Sequence, residues 1–575
     1  MQRDNNNQSN ARPIFKSFGQ LTRTPEAKAW EDDEFPHRES LLDVDRRDFL
    51  KIAGASLALA GTAGCRQLIM PDPKAVPFVR SPDGRVPGMS TEFATTVTLA
   101  GYGLGVVVRT VDGRPTKVEG NPGHPASLGS TDIFAQADIL DFYDPDRSQS
   151  VIHRGEVVSF ESFFTYLDSK IKDFRKTGGE GLHFVSESKS SPTFARLRDA
   201  IKAAYPKSGW TSYEPFGRAN ALSGAAHAFG KDIEVYYNLK GVKTVLSLDS
   251  DFLTSMPGSV RYSLDFAETR RVRKDSASMS RLYAIESAYS VTGAAADHRL
   301  AVRPSALETI AAAVASAVAG ESPKGLSPEE TVFVETVVSD LKGGNAVVIP
   351  GDHVSDTVHH YVAVINSAIG ALGKHVLATT PVLTDKPGSL ADVAKALDDG
   401  SVTTLVIIGG NPVYNAPADI DFGAALSKFT ANKANDAIRL SLYEDETSIL
   451  CNWHLPLSHE LESWGDAVAY DGTVSLSQPL IKPLYSTKSE IEYLSEFLGQ
   501  PVNGEDLVRS TYGAITSAAW GQALARGVIR QAPAPIAFPP LTTAPAPKSA
   551  NASGYEVQFR LDPTIHDGRY ANNAW

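Results

Sequence analysis

Between residues 157 and 530 the chain repeats one pattern: a short, mostly apolar run, then a stretch with apolar residues at helical spacing. The runs at 183–185, 244–248, 282–285, 346–349 and 404–408 have the length and character of strands buried on both faces. The stretches 162–172, 192–204, 307–319 and 358–372 place apolar residues every three or four positions, as an amphipathic helix does. Strands alternating with helices predict an α/β class with parallel sheets. Residues 95–108 differ: Thr, Val and Leu alternate, and Gly101 and Gly103 mark a turn. Val111-Asp112-Gly113-Arg114 then carries the Asp-Gly signal of a hairpin, with 117–120 returning as a strand.

These patterns divide the chain into a leader (1–65), a Pro- and Gly-rich linker (66–93), a small β-rich subdomain with some helix (94–180), a first α/β domain (181–305) and a second (306–530). Residues 531–575 read as a Pro/Ala-rich linker, a strand-like alternation at 555–561 and the start of a further domain cut short.

The leader holds Arg46-Arg47-Asp48-Phe49-Leu50-Lys51 ahead of an apolar run at 52–64. Its 13 residues fall short of the roughly 20 needed to span a bilayer, so the segment reads as a signal h-region or a marginal anchor. Arg46 and Arg47 in front of it read as a twin-arginine export address. Thr62-Ala63-Gly64-Cys65 is similar to a lipobox with Thr in place of the usual Leu; Cys65 is either a lipidation site or an ordinary cysteine near a cleavage site.

The 575 residues are too many for one core, and 42% hydrophobic with 21% charged residues is ordinary for a globular protein. A net charge of -12 argues against a nucleic-acid partner. The two cysteines, Cys65 and Cys451, can build neither a four-cysteine zinc site nor a thiolate-held iron–sulfur cluster. Cys451, His454 and His459 match no common zinc spacing and read as a packed loop. His353, His359 and His360 read likewise, since adjacent helical residues point apart. No Gly-x-Ser-x-Gly elbow, P-loop or Gly-x-Gly-x-x-Gly unit is present. Several strands end in small or acidic residues, where the ligand crevice of an open α/β sheet lies. Gly409-Gly410-Asn411-Pro412 is the strongest candidate, because two glycines let a backbone approach a phosphate.

A family resemblance follows from longer stretches. Gly103-Leu104-Gly105-Val106-Val107-Val108, Val111-Asp112-Gly113-Arg114-Pro115, Val118-Glu119-Gly120-Asn121-Pro122-Gly123-His124-Pro125 and Tyr143-Asp144-Pro145-Asp146-Arg147 resemble the start of the bis-molybdopterin guanine dinucleotide oxidoreductases. The stretches at 246–253, 286–294 and 405–412 resemble that family's α/β core. That family's cluster cysteines are replaced by residues such as Thr95, Thr96, Leu99 and Gly103, so no cluster forms there. Its molybdenum-binding Ser, Cys or Asp would fall near Gly217-Arg218, with Ser212 and Ser223 as neighbours.

Over nearly its whole length the chain is more similar to the iron–sulfur B subunit of alternative complex III, in which the molybdopterin-like half is empty. The resemblance implies a non-catalytic scaffold without a cofactor or metal of its own. It further implies a polytopic quinol-oxidising membrane subunit, multihaem cytochrome c subunits and a cluster-bearing ferredoxin-like part as partners. Iron–sulfur clusters are expected in that part, beyond residue 575, and the location is the periplasmic side of the bacterial inner membrane. The alternatives are an active bis-molybdopterin guanine dinucleotide oxidoreductase, with Gly409–Pro412 at its cofactor, and a free periplasmic binding protein.

Overall fold

Three antiparallel strands, Ser90–Leu99, Tyr102–Val111 and Arg114–Gly120, open the described structure as a meander. Asp112 and Gly113 both adopt positive φ (50° and 84°), the two-residue turn that the Asp-Gly pair predicts. The structure is a computed structural model and describes Pro25, Val86 and residues 88–272, 278–513, 515–548 and 553–575. From Val86 onward all of these belong to one unit, Ala75–Trp575. Arg46, Arg47, Cys65 and the 52–64 run lie outside the described residues. Among the described residues, no helix is long and apolar enough to cross a membrane.

Two parallel sheets carry the α/β part. In the larger, the strands Gly209–Ser212, Leu182–Ser186, Thr404–Ile408, Asp436–Ser441 and Trp453–Pro456 lie side by side and parallel, and the hairpin Val151–His153/Glu156–Val158 adds an antiparallel edge. In the smaller, Ala346–Pro350, Thr244–Leu248, Arg281–Glu286 and His298–Ala301 are all parallel.

The central strands are buried on both faces, so alternate residues feed separate cores. On the larger sheet Val406 and Ile408 meet the helices Phe160–Thr177 and Pro192–Ala204, while Leu405 and Ile407 meet Leu390–Asp398 and Phe422–Ala431. Residues 192–204 form a helix for local reasons too. The Ser191 hydroxyl accepts from the Phe194 N–H at 2.9 Å, and Pro192 occupies the first turn, where its missing N–H costs nothing.

The sheets do not respect the contiguous division at residues 305/306. Leu182–Ser186 pairs with Thr404–Ile408, and Thr244–Leu248 pairs with Ala346–Pro350. Each sheet thus draws strands from both segments, the smaller being inserted into the larger. The 94–180 segment is not separate either, since its 151–158 hairpin extends the larger sheet. Residues 531–548 contain no helix or strand but are docked: Ile536 N–H donates to Ala378 O (2.9 Å), Thr542 N–H donates to Ala228 O (2.8 Å), and Phe538 and Leu541 pack beside Phe229. Residues 555–561 form no strand and pair with none among the described residues.

Candidate functional site

The larger sheet reverses direction at one point. From Leu182–Ser186 the chain moves outward to Gly209–Ser212; from Thr404–Ile408 it moves the opposite way to Asp436–Ser441 and Trp453–Pro456. Loops diverge at such a switch point and leave a crevice at the carboxyl ends of the strands. Glu187 and Gly409, the first residues beyond the two central strands, stand on either side of it. The crevice has a volume of about 760 Å³ and is lined by the segments that follow all five parallel strands.

The glycine turn singled out in the sequence lies at this point. Gly409 and Gly410 both take left-handed φ (64° and 61°), which glycine alone adopts freely. Their carbonyls accept hydrogen bonds from the buried Arg439 guanidinium, at 2.6 Å for Gly409. A Cβ on Gly409 would collide with the Glu187 carboxylate. Asn411 is tied on both sides, its amide donating to Glu446 (2.7 Å) and its oxygen accepting from Thr447 (2.7 Å). Pro412 is buried and opens the short helix Pro412–Asn415. The turn therefore faces a carboxylate.

Acidic groups dominate the rest of the lining. Asp138, Asp141, Glu187, Glu214, Glu444 and Glu460 are among them, against Lys189 and Arg569 as fixed cations. Lys189 is already engaged with Glu490 at 2.7 Å. Arg569 comes from the C-terminal segment, whose residues 567–572 line the crevice. Its guanidinium pairs with Asp567 (2.8 Å), Glu214 (3.2 Å) and Glu187 (3.3 Å). Tyr570 and His566 pack on Phe134, and the Asn573 amide donates to Asp141 (2.8 Å) and to Ala137 O (3.1 Å). Sequence reasoning missed this element. Arg569 looks like any turn residue until the crevice is assembled from distant strands.

Burial pushes the Glu214 carboxyl up to about 7 despite Arg569. Burial, with Asp138 adding to it, does the same for Glu460, also to about 7. Burial raises Asp141 to about 6, with the Asn573 hydrogen bond opposing. Burial alone would raise Asp567 as well, but hydrogen bonds from Arg569 and His566 hold it well below the usual carboxylate range. Around the tail, the crevice thus carries carboxyls whose charge changes near neutrality.

The same segment reaches the smaller sheet. Asp249, just past Thr244–Leu248, is buried with a left-handed φ of 51°. Arg560 donates to its carboxylate, and His353 lies 3.3 Å away. Burial would raise this carboxyl; the His353 and Arg560 hydrogen bonds reverse that and hold it low. The carboxyl edges of both parallel sheets thus receive an arginine from residues 555–575.

The other sequence candidates are bonded or packed within the fold; of these, His459 also lines the crevice. Arg218 is bonded to Glu234 and, at 3.0 Å, to Asp352; it does not line the crevice. Ser212 is buried 3.4 Å from Ser188. Cys451 sits against a hydrophobic core, and burial raises its thiol to about 12. His454 lies between Ser148 and Ser448, and burial lowers it to about 4. His459 is paired with Asp138 at 3.2 Å. His360 meets Thr542 O at 3.2 Å, and burial lowers His359 to about 4. Among the described residues, no group of three or more His, Cys, Asp or Glu side chains is arranged to hold a metal ion.

A bis-pterin dinucleotide would bring two pyrophosphates, which call for N–H donors and cations. The switch point offers Glu187 and Glu214 instead, and the guanidinium facing them belongs to the chain itself. This lining does not fit that cofactor.

The fold is mixed α/β with parallel sheets, and two known proteins show what the chain is similar to. In sequence the chain is similar to the menaquinone reductase, molybdopterin-binding-like subunit, of Nitratidesulfovibrio vulgaris, with 23% identity over 456 residues, 70% of this chain and 64% of that protein. In structure it is similar to acetylene hydratase from Pelobacter acetylenicus, with a TM-score of 0.56 and 12% identity, covering 75% of this chain and 74% of that one. That likeness bears on the fold alone. The chain spans less than two thirds of the length of the curated relative. No family model matches it.

Proposed function

We propose that the chain is a scaffold subunit of a quinol-oxidising, membrane-bound electron-transfer complex of the alternative complex III type, and that it holds no pterin or metal. One observation carries this reading: residues 567–572 line the switch-point crevice, with Arg569 seated among Glu187, Glu214 and Asp567. The Nitratidesulfovibrio relative, named as a molybdopterin-binding-like subunit of a menaquinone reductase, supports the link to quinone chemistry. In this reading the rigid double-sheet body fixes the spacing of cofactors carried by neighbours. Those neighbours are a polytopic quinol-oxidising subunit, multihaem cytochrome c subunits and an iron–sulfur-bearing ferredoxin-like part. Arg46 and Arg47 direct export to the periplasmic side of the inner membrane, and lipid on Cys65 would add a membrane anchor.

The test is elemental analysis of the protein purified with its partners from native membranes. The scaffold reading expects haem and cluster iron, with molybdenum and tungsten far below one atom per chain. Stoichiometric molybdenum or tungsten would overturn it in favour of an active pterin oxidoreductase. Recovery of the chain alone would overturn the assignment to a complex.

A further inference from the structure

Residues 555–561 alternate in a way that the scaffold role, as described so far, does not use. Their even-numbered side chains are fastened to the body. Glu556 accepts from the Ser305 N–H (2.9 Å) and hydroxyl (2.6 Å), Gln558 accepts from the Ser287 hydroxyl (2.7 Å), and Arg560 reaches Asp249 and Ser287. The side chains at 555, 557 and 559 point away. Tyr555, Val557 and Phe559 are 104%, 79% and 77% exposed. Single exposed apolar residues are ordinary, but three in register on an anchored segment form a row. No backbone N–H or C=O of 555–561 bonds to another backbone group among the described residues.

We propose that 555–561 is a pre-set edge strand to which an extended segment of another subunit adds, its own apolar residues at alternate positions facing Tyr555, Val557 and Phe559. The proposal rests on the reading that the chain works within a complex. A partner that covered only the apolar row would bury backbone groups without partners, at about 1–3 kcal/mol each. A strand answers both needs at once, pairing the backbone and setting aromatic and β-branched side chains opposite one another. The five hydrogen bonds fix the segment beforehand, so little ordering entropy remains to be lost on binding. An unprotected edge of this kind is otherwise a liability for association.

The test uses the full chain purified with its neighbours from native membranes. Val557→Pro removes a backbone donor that has no internal partner, so the melting temperature of the isolated chain should hold. Recovery of the partner subunits should fall roughly tenfold or more, as expected for losing a strand's worth of pairing. Photocross-linking from p-benzoylphenylalanine at position 559 should map to an alternating apolar segment of one partner. Amides 555–561 should exchange freely in the isolated chain and slowly in the assembly. Unchanged partner recovery with Val557→Pro overturns this inference while leaving the subunit reading intact, as does a cross-link confined to a second copy of this chain. If the wild-type chain purifies alone, the subunit reading fails and the inference falls with it.

Discussion

Replacing Arg569 with alanine should loosen the C-terminal segment by an amount that depends on pH. The guanidinium is 27% exposed, while the carboxylates of Glu214 and Asp567 are 3% and 2% exposed. Removing the cation leaves Glu214 without its ion-pair partner and Asp567 with His566 alone. Breaking a fully buried pair costs about 3–5 kcal/mol, and the partial exposure of Arg569 reduces this to about 2–3 kcal/mol. The sign follows from the two carboxyls. Asp567 is held low in the fold, so its contribution is present above its unfolded value and is lost only below it; it is the same at pH 5 and pH 8, and the pH dependence in that window comes from Glu214. Glu214 already lies near 7 and would rise further without Arg569, so ionising it becomes more costly as pH increases. The defect should therefore be largest near pH 8 and shrink toward pH 5. Hydrogen-exchange protection of the Gly568, Ala571 and Asn573 amides, each bonded within the segment, reads this opening directly. At pH 8, Arg569→Ala should lower protection roughly 30- to 100-fold, with Arg569→Lys in between. Unchanged protection, or an equal loss at pH 5 and pH 8, would refute the electrostatic account.

Two further outcomes follow from the same crevice. Gly409→Ala places a Cβ at a left-handed φ and against the Glu187 carboxylate; it should destabilise the larger sheet by about 2 kcal/mol or more, seen as a lower melting temperature, and an unchanged melt would contradict the turn geometry. Glu460 has its carboxyl raised to about 7, so in the wild type its burial erodes stability as pH rises from about 4.5 to about 7; Glu460→Gln should match the wild type near pH 5 and gain about 1–3 kcal/mol at pH 8, and a gain at pH 5 instead would reverse the sign argued here.

Local pattern made much of the fold legible. The strand at 404–408 is apolar on both faces because both faces are covered, and the helix 192–204 announces itself by Ser191, Pro192 and its spacing. Gly409 and Gly410 were legible as a turn for the same reason, since left-handed geometry favours glycine. Which strands lie side by side is a different kind of information. Nothing near residue 184 signals that it will pair near residue 406, so contiguous domains were the natural reading and interleaved sheets the outcome. The C-terminal segment escaped for a related reason. Residues 555–561 alternate like a strand, but their inward positions carry Glu556, Gln558 and Arg560, and their apolar side faces out. A core-directed reading assigns the two faces the other way round.

The interleaving of the sheets sets an order of events in folding. The smaller sheet closes within residues 244–350, and its central pairs are complete once that stretch exists. The larger sheet cannot join Leu182–Ser186 to Thr404–Ile408 until the whole insertion has been made, and it is finished only by Trp453–Pro456. The loop-closure entropy of that long excursion falls when the intervening chain is already a folded body. The inserted unit thus serves as a splint for the sheet around it. Destabilising the inserted unit should slow assembly of the larger sheet, even where no altered residue touches the crevice.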